Sequence, residues 1–304
     1  MKEALVIVNP AAGGGRAGAT WSQLEPLAHR LAEIASVTPA GAEATRVAVA
    51  AALDQGYGRI VAFGGDGTAH LVAGALLAAG AGERVTLGIV PAGTGSDLSR
   101  ALAVPRKVPA ALRRALLGPP APIDAGRCTG EKSSFYFVNI ASAGVGGLVD
   151  EMVNAMPGRG TTAFLRATLT ALRRYRCVPV RISLDGEAWY EGPILVAAVA
   201  NGISFGKGMR VAPEAKPDDG LFDVVVAGEV GGLDLLRRLP QLYLGLHLNA
   251  KPVRYRRAKE VRLEPLAPLP VFDADGETYP SGPATFTLLP AALRVAGPIA
   301  SQSS

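Results

Sequence analysis

One pattern limits what this chain can become. Three times in its first hundred residues a short apolar run ends in a glycine loop that opens a helix-like segment. "ALVIV" (4–8) runs into "NPAAGGGRAG", "RIVAF" (59–63) into "GGDGTAHLV", and "VTLGIV" (85–90) into "PAGTGSDLSRAL". Short continuous apolar runs bounded by turn signals suit strands buried on both faces. "ASVTPA" adds a fourth strand, with helices expected near 20–34 and over 42–53. Repeated strand–loop–helix units predict a parallel sheet with helices on both faces. Such sheets bind ligands beyond the carboxyl ends of their strands, which is where all three glycine loops fall.

The texture changes after "LGPPAPIDAGR" (117–127), a Pro-rich stretch that reads as a domain transition. "SFYFVNIAS", "VPVRISLDG", "WYEGPILVAAVANG", "GLFDVVVAG", "YRRAKEVRLEP" and "ATFTLLPAALRVAG" read as strands separated by Gly, Pro and Asp turns. Two helical segments interrupt them, near 145–175 and 231–246. This predicts an α/β domain over 1–122, completed by about 290–304, and a β-rich domain over 123–289 built as an antiparallel sandwich. No internal repeat is visible.

Composition narrows the classes. With 49% apolar and 19% charged residues, the chain can bury a large core, and wholesale disorder is excluded. Lys and Arg exceed Asp and Glu by 31 − 26 = 5, a balance that suits ordinary solubility or an anionic partner. Cys128 and Cys177 have neither metal-ligand spacing nor a disulfide framework, which predicts a reduced, cytoplasmic setting. The first apolar run stops at Asn9-Pro10, too short for a secretory signal. No stretch reaches the ~18 apolar residues of a membrane span, so no transmembrane segment is expected and any membrane contact is peripheral.

The loops carry the chemistry. Glycines at a strand-to-helix turn permit positive φ and let the backbone approach a ligand. Successive amides and the helix N-terminus then form an anion site. A carboxylate there, Asp66, repels phosphate directly but can hold Mg²⁺ or a bridging water. Thr68 is placed to cap the following helix and to donate to phosphate. The second loop repeats the theme with Gly93, Thr94, Ser96 and Asp97, and the first supplies glycines and Arg16. Read alone, "GGDGT" is also compatible with a strained turn; three loops in register point to a nucleotide.

The ordered set "NPAAGG", "GGDGT", "PAGTGSDLSRAL", "NIASAGVGG", "APEAKPDDGLFDVVV" and "DADGE" resembles the soluble lipid kinases of the bacterial diacylglycerol kinase and sphingosine kinase type, over nearly the whole chain. "GGDGT" by itself is shared with NAD kinases and phosphofructokinases, whose nucleotide-binding domain the first half should resemble. The Thr-x-Asp-x-Asp pattern of a phosphofructokinase is missing. The resemblance implies ATP binding by Asn9, Thr38, Gly64, Gly65, Asp66, Gly67, Thr68, Gly93, Thr94 and Ser96. It implies a Mg²⁺–water network supported by Asp66, Asp97 and Asp124, and a separate metal loop in which Asp219 gives a carboxylate while Lys216 and Leu221 give carbonyls. Glu277 matches the general base. The acceptor is then a lipid alcohol such as diacylglycerol, met at the inner face of the membrane, and a homodimer is compatible with the family.

Three positions depart from the family pattern. Leu71 stands where an acid is usual, and Ser96 where asparagine is usual, with Leu98 in place of a common aromatic. Three other readings therefore stay open: a kinase acting on a soluble dinucleotide, a catalytically weak lipid-binding relative, and a nucleic-acid-binding protein. "RRYR" (173–176) and "RYRRAK" (254–259) are basic and aromatic, but no nucleic-acid motif accompanies them, so no nucleic-acid partner is expected. His29 and His247 have no partner residues in view, and "PGRGTTAFLRATL" (157–169) reads as a turn into a helix beside the lipid site.

Overall fold

A computed structural model describes residues 3–93, 95–155, 166–167, 170–171, 174–230 and 240–299. The chain divides into two compact units: Met1–Asp124 with Pro290–Ser304, and Ala125–Leu289.

The first unit is a parallel α/β domain. Its elements run β1 (Ala4–Val8), α1 (Arg16–Leu31), β2 (Ile34–Val37), α2 (Gly41–Asp54), β3 (Arg59–Gly64), α3 (Asp66–Ala78), β4 (Thr86–Pro91), α4 (Asp97–Ala101) and α5 (Val108–Leu117). Strand order is β2-β1-β3-β4, every pair parallel. Every residue of β1 is buried, and so is β3 after its first residue, as continuous apolar runs require. Val6, Val8, Val61, Phe63 and Val90 pack against Trp21 of α1 and Leu112 of α5, with Trp21 edge-on to Phe63 at 5.2 Å. Arg114 of α5 is buried and donates to the carbonyls of Leu102, Ala103 and Ala296, which ties the chain's return to this unit.

One helix has bounds that differ from expectation. Helix α1 spans 16–31 rather than 20–34, because Gly15, at φ 87°, turns the chain directly into it and Ile34 already belongs to β2. The Pro-rich stretch at 117–127, read as a domain transition, contains the boundary between the two units at Asp124/Ala125, and most of it lies in β5 (Pro120–Gly130), a strand of 11 residues. Its prolines cluster at the strand's start, where a missing N–H is tolerated.

The second unit is an antiparallel sandwich. After β5 come β6 (Ser134–Phe137), β7 (Ile140–Gly144), α6 (Val145–Ala155), β8 (Val178–Leu184), β9 (Glu187–Ile194), β10 (Val196–Ala200), β11 (Phe222–Ala227), β12 (Val253–Ala258), β13 (Glu260–Pro265), β14 (Phe272–Ala274), β15 (Glu277–Tyr279) and β16 (Ala284–Ala296). One layer runs β12-β11-β10-β7-β14-β15; the other includes β9-β8-β13 and the start of β16. β8 alternates buried and accessible residues, as a strand with one face on a core must. Between the layers Phe137 stacks on Phe222 at 5.6 Å, and Phe286 meets Phe137 and Phe272 edge-on. The end of β16 pairs in parallel with β4 in the first unit, Arg294 opposite Thr86. Of the two expected helical segments, 156–165 and 231–239 lie outside the described residues, as does most of "PGRGTTAFLRATL".

Candidate functional site

The carboxyl ends of β1, β3 and β4 lie side by side, so the three glycine loops share one edge of the sheet. Direct bonds hold them together. The Asn9 amide donates from Nδ2 to Thr68 Oγ1 at 3.1 Å, its Oδ1 accepts from Ala11 N at 3.1 Å, and its own N–H donates to the Phe63 carbonyl at 3.0 Å. Ala92 N donates to the Gly64 carbonyl at 2.7 Å.

Asp66 answers why a carboxylate sits among these glycines. It is the first residue of α3, and its Oδ2 accepts from the amides of Ser96 at 2.6 Å and Asp97 at 3.1 Å. One side chain thus fixes the loop after β4 onto the loop after β3. Gly95 leaves the room: a Cβ there would collide with Asp66 Oδ2. A Cβ on Gly93 would stand 2.6 Å from the Gly65 Cα, and one on Gly64 would strike the Thr68 side chain. Gly67 is half-buried in the first turn of α3. The glycines therefore serve close packing of loop on loop as much as ligand approach.

Thr68 does not cap α3. Gly65 holds the cap position without a side-chain bond, and Thr68 is buried one turn inside, where it receives Asn9. Thr38 is exposed one residue beyond β2, at the same edge of the sheet. Thr94 lies outside the described residues. Ser96 adopts φ 94°, a left-handed conformation that costs an ordinary side chain and suits Asn or Gly better.

Asp97 is buried and bonded through Oδ1 to Arg100 at 2.6 Å. Asp124 is buried on β5 and accepts from Ala291 N at 2.8 Å, in the bend of β16 where Ala291 has φ 52°. Among the described residues no three His, Cys, Asp or Glu side chains converge to hold a bare metal ion. Carboxylates each carrying protein partners fit Mg²⁺ that keeps its waters and arrives on phosphates, rather than a resident ion in a protein cage. Leu71 is half-buried on α3 next to the buried His70.

Glu277 lies in the second unit. Asp275 and Gly276, at φ 54° and 88°, form a two-residue turn between β14 and β15, and Glu277 follows it, exposed, opposite Ala274. Two positive φ values match a type I′ hairpin, which Asp-Gly favours. Asp275 anchors that turn: its Oδ2 accepts from Val138 N at 2.8 Å and its Oδ1 from Asn139 N at 3.0 Å and Ile140 N at 2.9 Å. Asp273, also buried, accepts from Gly276 N at 3.1 Å and Ser142 Oγ at 3.4 Å. Sequence reasoning assigned Glu277 and missed Asp275. The signal was present, since an Asp-Gly turn offers a carboxylate to neighbouring amides.

The loop carrying Lys216, Asp219 and Leu221 has a different character. Asp219 Oδ1 accepts from Leu221 N at 3.2 Å, and its Oδ2 is bonded to the Arg257 guanidinium. Arg257 stands directly opposite Asp223 on the neighbouring strand, and its Nε is 3.8 Å from Asp223 Oδ2. Asp223 is fully buried and accepts at Oδ1 from the Tyr255 hydroxyl at 2.6 Å. Burial pushes the Asp223 carboxyl above its usual range, opposed by Tyr255 and Arg257 and reinforced by Asp219 and Glu214. The Asp219 carboxylate is paired with the Arg257 guanidinium. Cys128 is buried, with its thiol pushed up to about 12, which removes it as a nucleophile.

With this geometry established, comparison with known proteins adds sequence and fold relatives. Residues 3–128 match the diacylglycerol kinase catalytic domain, and residues 139–297 match the YegS C-terminal NAD kinase beta sandwich-like domain. A diacylglycerol kinase of Mycobacterium tuberculosis is 33% identical over 296 residues, covering 96% of this chain and 94% of that one. A YegS-like lipid kinase of Pseudomonas aeruginosa is 35% identical over 262 residues, 85% of this chain and 82% of its own. The crystal structure of a diacylglycerol kinase from Bacillus anthracis superimposes with a TM-score of 0.74 at 22% identity, over 98% of each chain, and shares the fold.

Proposed function

This chain belongs to the diacylglycerol kinase family of lipid kinases, and from that premise we propose that it transfers the γ-phosphoryl group of ATP to the hydroxyl of a lipid alcohol such as diacylglycerol. The observation that carries the proposal is the Asp66 carboxylate bonding the amides of Ser96 and Asp97, which makes the two glycine loops one rigid cradle. Phosphoryl transfer depends on positioning and charge neutralisation more than on covalent chemistry. Asn9, Gly64, Gly65, Gly67, Thr68, Gly93, Thr94 and Ser96 form the nucleotide loops in this reading, with Thr38 as a peripheral contact.

Asp66, Asp97 and Asp124, each held by its own protein partner, would hold water around a nucleotide-borne Mg²⁺, which would supply charge neutralisation at the phosphates. The acceptor oxygen bonds to the γ-phosphorus as the bond to the β–γ bridging oxygen breaks, and ADP leaves. The hydroxyl proton passes to Glu277, whose turn Asp275 fixes. The loop at Lys216, Asp219 and Leu221 acts structurally in this reading, with Arg257 supplying its positive charge.

No described helix is long and apolar enough to cross a membrane. A lipid acceptor then brings the protein to a membrane from the water side, and the cytoplasmic face is where ATP is available. Incubation of the purified protein with radiolabelled ATP and diacylglycerol, sphingoid base, ceramide, phosphatidylglycerol or NAD tests the proposal. Label in a lipid phosphomonoester supports it; label only in the dinucleotide overturns it.

A further inference from the structure

The motif "NIASAGVGG" (139–147) supplies no group to the phosphoryl transfer, yet it lies against "DADGE" within the second unit. Strands β7 and β14 pair with Ser142 opposite Asp273 and Ala141 opposite Ala274. Phe272 and Ala274 belong to the sandwich core, so Asp273 between them faces the other side of its layer. It is nevertheless only 2% accessible. A carboxylate in such a place needs hydrogen-bond partners. Asp273 Oδ1 accepts from Gly276 N at 3.1 Å, and Oδ2 accepts from Ser142 Oγ at 3.4 Å. Ser142 is itself 1% accessible.

The glycines of the motif close the seat from above. Gly144, at φ 113°, turns the chain from β7 into α6. A Cβ on Gly146 would stand 2.7 Å from Ser142 Oγ and 3.9 Å from Asp273 Oδ2, and one on Gly147 would strike the Val271 carbonyl. The first turn of α6 therefore lies on β7 and on the chain entering β14 with no side chain of its own between. It meets the Asp273 carboxylate at a helix N-terminus, where a negative charge is favoured. Two carboxylates thus hold the turn that presents Glu277, each to a different place. Asp275 ties it to the amides of residues 138–140. Asp273 ties the N–H of Gly276, the residue next to Glu277, to Ser142 beneath α6.

We propose that Asp273, seated on Ser142 and the first turn of α6, is a positioning residue: by holding the Gly276 N–H it fixes the direction in which Glu277 leaves the turn. The proposal deepens the lipid-kinase reading by naming what aims its base, and it rests on Glu277 being that base. Steady-state kinetics on diacylglycerol with Asp273→Ala, Asp273→Asn, Glu277→Gln and the double variant Asp273→Ala/Glu277→Gln tests it, with Gly276 amide exchange followed by NMR. Asp273→Ala is expected to lower kcat by about 10–10²-fold at unchanged KM for ATP, as displacement of a reacting group does. Asp273→Asn keeps an oxygen for Gly276 N and offers an N–H to Ser142 Oγ, so it should restore most of the turnover. With Glu277 already replaced, Asp273→Ala should cost almost nothing further, because it acts through Glu277. Exchange at Gly276 should speed up about tenfold in Asp273→Ala and stay slow in Asp273→Asn.

A lower melting temperature with wild-type kcat in folded Asp273→Ala overturns the proposal, by making Asp273 structural only. The same loss with and without Glu277 overturns it, and so does an equal loss in Asp273→Ala and Asp273→Asn, which would assign the effect to charge. Failure of the underlying reading looks different. Full activity in Glu277→Gln removes the base, and the positioning role with it. No lipid phosphorylated by the wild type removes the kinase; faster Gly276 exchange in Asp273→Ala would then leave the seat of the hairpin standing, and unchanged exchange would overturn it.

Discussion

At the level of single residues, a few side chains fix distant parts of the chain. Asp66→Ala removes the acceptor of two amides and should lower kcat/KM on lipid by about 10²-fold, as loss of a charge-organising group does. Asp66→Asn retains an acceptor and should keep the loop but not the charge, so nucleotide affinity recovers more than turnover; steady-state kinetics separates the two. Ser96→Asn should stabilise by about 0.5–1 kcal/mol, because asparagine tolerates φ 94° better than serine. Thermal melting reads that change, and a lower melting temperature would contradict the strain argument. Asp223, buried with its carboxyl raised, holds a proton in the folded state at pH values where the unfolded chain has lost it. Its contribution to stability therefore falls as pH rises through that window. Arg257 opposes this, so Arg257→Gln should cost about 1–3 kcal/mol at neutral pH, discounted for the half-exposed guanidinium. The deficit should shrink as pH falls toward ~4 and Asp223 takes up its proton, which denaturant melts across pH would show.

At the scale of elements, the strands were easier to read than what joins them. "ALVIV", "RIVAF" and "VTLGIV" carry their burial in their composition, and β1, β3 and β4 match them within a residue. Helix α1 was displaced because its start depends on the left-handed Gly15, which no apolar period marks. The stretch at 117–127 was legible as a domain transition, and the unit boundary falls within it, while its prolines crowd the start of β5. The glycines were read for phosphate alone; their packing role needs the loops' mutual distance, which is tertiary. Gly93→Ala, with its Cβ 2.6 Å from the Gly65 Cα, should separate the loops and abolish ATP binding by calorimetry. Gly74→Ala on α3, where a Cβ meets nothing within 4 Å, should instead stabilise by about 0.5–1 kcal/mol.

At the scale of the whole molecule, an α/β unit built on parallel strands and an antiparallel sandwich were both visible as a change of texture along the chain. The sandwich core of Phe137, Phe222, Phe272 and Phe286 draws on strands distant in sequence, so its partners were not. The candidate site was legible as motifs, and its wiring was not: Asn9 to Thr68 spans 59 positions and Asp275 to Val138 spans 137. Arg257, which neutralises the loop expected to hold a metal, gave no signal at all, because only the β11–β12 register places it opposite Asp223. The central claim is phosphoryl transfer from ATP to a lipid hydroxyl, organised by Asp66 and assisted by Glu277. The most direct measurement is radiolabel transfer from ATP to diacylglycerol in anionic vesicles by wild type, Asp66→Ala and Glu277→Gln. Wild type should yield a labelled lipid phosphomonoester, and each variant should show about 10²-fold or greater loss. Full activity in Asp66→Ala, or no labelled lipid with any acceptor, would contradict it.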